Sequence, residues 1–156
     1  MKKNLLLLAV FAFLFLMQNA VAQSYYSLST GPFIQNWTNA GLLTTNNDWT
    51  GVPSIIGYRG DTTTSLTGVD PQKLINPSYS TVLNVTVNQT APNTNTAGGI
   101  AEFEITDPVV ALQGSNTADA PNLVVFLNSS GCTNIHIKFN VRDIDGSADN
   151  SVQQLA

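Results

Sequence analysis

Nine consecutive residues, Asn134 to Arg142, alternate strictly between apolar and polar side chains. Ile135, Ile137, Phe139 and Val141 fall on one side; His136, Lys138, Asn140 and Arg142 fall on the other. A period of two places side chains on opposite faces of a β-strand and is incompatible with an apolar stripe on a helix. The same period recurs at Leu83, Val85 and Val87, and at Ala101, Phe103 and Ile105. Leu123 to Leu127 is continuously apolar, the pattern of a strand buried on both faces or covered by a loop, and Val109 to Leu112 is a shorter strand candidate. No window of helical length carries a 3.6-residue apolar stripe. Short strands separated by turns predict an all-β chain.

The turns are equally legible. Thr90 to Gly99, Gly114 to Pro121 and Asn128 to Gly131 concentrate Gly, Pro, Asn and Ser, which reverse the chain at low steric cost. Gly31 to Asn76 is rich in Gly, Thr and Asn and holds both tryptophans, Trp37 and Trp49, so long loops with short strands are expected there. Pro71 suits the first turn of a short helix over Gln72 to Ile75. The prediction is one antiparallel, jelly-roll-like β-sandwich over residues 23–156. Val152 to Ala156 reads as the start of another strand, and an incomplete C-terminal edge is expected on that ground.

Residues 1–22 read as a signal peptide: Lys2 and Lys3, an uncharged apolar run from Leu5 to Met17, and Ala20-Val21-Ala22 before Gln23. The run is shorter than the ~20 apolar residues of a membrane span. A secreted or cell-surface location follows as the expectation. After that cleavage four basic residues remain (Arg59, Lys73, Lys138, Arg142) against ten acidic ones, a formal charge of −6. A field of that sign repels phosphate backbones and disfavours nucleic acid as a partner. Cys132 is the lone cysteine, so no internal disulfide forms and stability rests on packing.

Two constellations carry possible chemistry. Asp143, Asp145, Asp149 and Asn150 surround Gly146 directly after the best strand and offer oxygen ligands suited to calcium, which takes about six to eight. The loop lacks the glutamate and flanking helices of an EF-hand, and an Asx-rich turn in which Asp143 pairs with Arg142 or caps backbone N–H groups accounts for the same residues. Glu102 and Glu104 share a strand face roughly 6.5–7 Å apart at Cα, near the carboxyl separation of about 5–5.5 Å that retaining glycosidases use. Pro108 follows closely, and an acidic, solvent-facing strand face is the plainer reading. His136 stands beside no nucleophile motif, so the segment is read as non-catalytic. The tryptophans, Tyr58 and Tyr79 are candidates for stacking on a sugar ring or for packing.

Five phrases together resemble a module of large secreted bacterial proteins of the Bacteroidetes type. They are Val52 to Asp61, Thr67 to Gln72, Gly99 to Ile105, Ala118 to Leu123 and Val141 to Gln153. The resemblance implies an N-terminal β-sandwich preceding Ig-like, lamin-tail, nuclease/phosphatase or sorting segments. Further strands beyond the equivalent of Gln153 are implied as well. The function expected is a non-catalytic extracellular module for adhesion, carbohydrate contact or structural spacing, with a carbohydrate or a cell-surface protein as partner. The alternative is the accessory N-terminal module of a secreted hydrolase such as a nuclease or phosphatase.

Overall fold

The computed structural model describes residues 24–60, 82–94, 98–115, 118 and 120–145. Its secondary structure is mostly β, with helix limited to three single 3₁₀ turns among the described residues. The strands are β1 (Tyr26–Ser27), β2 (Ile55–Tyr58), β3 (Thr86–Gln89), β4 (Gly99–Phe103), β5 (Val109–Gln113), β6 (Asn122–Val125) and β7 (Leu127–Asn128). They form three small sheets: β1 with β7, β2 with β6, and β3-β4-β5 with β4 in the middle.

Pairing departs from the all-antiparallel expectation. β2–β6 and β4–β5 are antiparallel, but β1–β7 and β3–β4 are parallel. β1 and β7 are the first and last of the described strands. β3 and β4 are joined by a crossover containing the 3₁₀ turn Pro92–Thr94, which lets the chain return in the same direction.

The apolar run Leu123 to Leu127 is split rather than continuous. Phe126 donates its N–H to the Ser54 carbonyl at 2.8 Å and accepts from the Tyr26 N–H at 3.0 Å. The chain thereby passes from the sheet of β2 to the sheet of β1. β6 is half-buried and Val125 is exposed, so burial on both faces is not met; among the described strands β6 pairs with β2 alone.

The core gathers Leu43, Trp49, Val52, Ile55, Val85, Val87, Ile100 and Val110. Leu43, Trp49 and Val52 come from the segment preceding β2, which the sequence marks as loop. That segment also covers an edge. Asn47 Oδ1 accepts the Val85 N–H at 3.1 Å, Asn46 Oδ1 accepts the Val87 N–H at 3.0 Å, and the Asn47 N–H donates to the Val85 carbonyl. Asparagine side chains thus satisfy the open side of β3, where an unpaired edge would invite association.

The strongest strand signal in the sequence joins no sheet. Residues 134–143 are exposed throughout, with Ile135 at 51 %, Ile137 at 82 %, Phe139 at 62 % and Val141 at 65 %. Alternation encodes the faces of a strand, but a strand needs an edge to pair with, and none of the described strands takes this segment up. The helical turn expected at Gln72 to Ile75 and the segment Val152 to Ala156 lie outside the described residues, as do residues 1–22.

Candidate functional site

β4 presents Ile100 and Glu102 on one face and Ala101 and Phe103 on the other, and all five of its residues are buried. Glu102 is therefore not the solvent-facing acid that alternation suggested; it is 4 % exposed. The bulge in β3 explains its placement. Asn88 takes a left-handed backbone (φ 57°), and its N–H turns inward to donate to Glu102 Oε2 at 2.8 Å. Glu102 Oε1 is buried without a hydrogen-bond partner. Glu104, just past the strand, is exposed and gives its N–H to the Gln89 carbonyl. The two carboxylates therefore differ sharply in environment and do not line an open cleft together.

Burial pushes the Glu102 carboxyl up from the ordinary glutamate value, against the Asn88 N–H, which favours the ion; the Glu104 charge adds to the rise. A raised folded-state pKa means that the ionised form destabilises the fold above that pKa. This cost is relieved as pH falls through the folded value toward 4.5. Asp48 acts in a separate window. The Thr50 N–H lowers its pKa below 3.8, so its contribution is lost only in stronger acid. We expect the melting temperature to rise on mild acidification from neutrality, and Glu102→Gln to flatten that slope. Thermal melts across this pH range check it; an unchanged slope in the variant refutes the assignment to Glu102.

The two tryptophans part ways. Trp49 is core, 5 % exposed, with its indole Nε1–H donated to the Asn84 carbonyl at 3.1 Å. Trp37 is half-buried and meets Trp49 edge-on, with ring centroids 6.5 Å apart at 77°. Its backbone is left-handed at φ 59°, a conformation that costs a bulky residue on the order of 1–3 kcal/mol. Asn36 holds it there: its Oδ1 accepts both the Thr38 N–H at 3.2 Å and the Thr38 hydroxyl at 2.9 Å, closing a clasp around Trp37. Tyr58 is half-buried in β2, and Tyr79 lies outside the described residues. Nothing in the sequence short of the Asn36-Trp37-Thr38 spacing signals this strained turn.

In the acidic loop, Asp143 Oδ1 accepts the Asp145 N–H at 3.2 Å, an Asx turn. Arg142 does not pair with Asp143; it reaches Asp107, meeting the carboxylate at 3.2 Å and donating to the carbonyl of the same residue. Asp149 and Asn150 lie outside the described residues. Among the described residues no group of three or more His, Cys, Asp or Glu stands close enough to share a metal ion. No described helix is long and apolar enough to cross a membrane. His136 is exposed, and Cys132 is a free, half-buried thiol in the turn closed by its own N–H to the Ser129 carbonyl. Comparison of the chain with protein-family models, with curated proteins and with solved structures finds no match in any of the three.

Proposed function

We propose that this chain is a non-catalytic extracellular module, sandwich-like in architecture, that contacts carbohydrate through the Trp37 turn. The observation that carries the reading is the backbone of Trp37. A bulky aromatic residue in the left-handed region is held only where surrounding contacts over-determine it, and such strain concentrates at ligand-contacting positions. Here the Asn36–Thr38 clasp fixes the backbone, and Trp49 braces one edge of the indole. Trp37 packs against the core yet stays part-exposed, and its chain neighbours Asn36, Thr38 and Asn39 are exposed residues with hydrogen-bonding side chains. That combination suits a sugar, whose ring has an apolar face and a polar rim. The signal-peptide pattern of residues 1–22 and the low charge density are in keeping with an exported location.

The test is a glycan array probed with the purified chain and with Trp37→Ala. Binding to at least one glycan class is expected, weakened at least about tenfold in the variant, the scale of losing an aromatic anchor. Circular dichroism verifies that the variant keeps its fold. A blank array rejects carbohydrate contact and leaves structural spacing as the role.

A further inference from the structure

The chain leaves β7 through a turn that directs it away from the sheets. The Cys132 N–H closes on the Ser129 carbonyl at 2.9 Å, and two left-handed residues, Gly131 (φ 78°) and Asn134 (φ 56°), redirect the backbone. Every residue from 133 to 143 is exposed, and among the described residues no main-chain hydrogen bond holds 134–142. An endoprotease needs a segment in this state. It binds substrate backbone strand-like, through N–H and C=O groups that must be free to pair with its own edge. Residues inside a sheet offer none until the sheet opens locally.

Lys138 stands at the centre of the segment, exposed, between the exposed side chains of Ile137 and Phe139. The other described basic residues are less available. Arg59 is half-buried, its Nε is buried, and its backbone N–H is donated to the Val82 carbonyl at 3.0 Å. Arg142 is exposed, but its guanidinium is engaged by Asp107 through both the carboxylate and the carbonyl. Lys73 lies outside the described residues. The residue after Lys138 is phenylalanine, so no proline ring obstructs that peptide bond.

We infer that the Lys138–Phe139 bond is a processing site for an endoprotease whose pocket for the residue before the cut is acidic. The lysine ammonium, a compact charge on a flexible stem, enters that pocket while the flanking backbone pairs with the enzyme. Water adds across the amide: the C–N bond breaks, the Lys138 carbonyl becomes a carboxylate, and Phe139 gains a free amino group. The cut spares the fold. The described strands all end by Asn128, and the Arg142–Asp107 pair beyond the cut is an exposed ion pair, which contributes little to stability. Hydrolysis therefore parts the sheets from the chain that follows without breaking a described strand pair. This site is independent of the sugar contact at Trp37.

Limited digestion of the purified chain with trypsin, read by intact mass and N-terminal sequencing, tests the assignment. The first cut beyond residue 22 is expected after Lys138, at least about tenfold faster than cuts at Arg59, Lys73 or Arg142. Its rate should not change in urea well below the unfolding midpoint, because no opening precedes it. Lys138→Gln should remove this cut at an unchanged melting temperature, and Lys138→Arg should retain it. The nicked chain should keep its circular dichroism and its melting temperature. A first cut at Arg59, Lys73 or Arg142 overturns the inference. So does a cut at Lys138 that accelerates in low urea, or a fold lost on nicking.

Discussion

Trp49→Ala lowers the unfolding free energy by about 3–5 kcal/mol, the scale of deleting a buried aromatic side chain. That is a large share of the ~5–15 kcal/mol a domain has in total. Trp49 joins two regions that no sheet connects. It belongs to one core cluster with Leu43, Val52, Ile55, Ile100 and Val85, and its indole N–H closes on the Asn84 carbonyl, 35 residues along the chain. Asn84 is itself a junction: its Oδ1 accepts the Ile100 N–H at 2.7 Å and its N–H donates to the Gly57 carbonyl. Trp49→Phe separates the two contributions. It keeps most of the ring but leaves the Asn84 carbonyl unpaired, a loss of about 1–3 kcal/mol. Urea denaturation of the three proteins measures both. Equal midpoints for Trp49→Ala and the unsubstituted chain would show that the tryptophan does not organise the core.

The dependence on Trp49 explains which parts of the fold could be read from sequence. Alternation located β4 to within about two residues and placed Val85 and Val87 on a buried face, while the short apolar run Val109 to Leu112 located β5. These assignments succeed because the period of two is local chemistry. What period alone cannot report is the neighbour. Glu102 occupies a polar position in its alternation, yet it is buried because the Asn88 bulge folds over it. The segment 134–142 has the clearest period, yet none of the described strands pairs with it. Conversely, the aperiodic stretch before β2 supplies Leu43, Trp49 and Val52 to the core, since loop residues that pack by tertiary contact obey no spacing rule. The candidate site follows the same division. The presence of Trp37 in a polar loop is visible in the chain, whereas its left-handed backbone depends on the Asn36–Thr38 clasp and on Trp49 behind it.

Gly57→Ala costs about 1–3 kcal/mol, the overpacking penalty of a well-filled core, with a value at the upper end expected here. A methyl at this position of β2 would lie 2.2 Å from Trp49 Cζ2 and 2.6 Å from Ile100 Cδ1. The indole is not free to retreat, because its bond to the Asn84 carbonyl fixes it; the terminal Ile100 methyl can turn aside about its last side-chain bond. The glycine is required by what crosses it, because the flat indole approaches the β2 backbone where any side chain would stand. This makes the two positions thermodynamically dependent. In the Trp49→Ala background the methyl has room and fills part of the void, so Gly57→Ala should then cost less than about 1 kcal/mol. The double variant should be more stable than the sum of the single losses predicts, by a coupling energy within the 0.5–3 kcal/mol typical of residues in contact. A double-mutant cycle in urea measures that coupling directly. Strict additivity would mean that the penalty at Gly57 arises from the backbone of β2 itself rather than from the tryptophan lying across it.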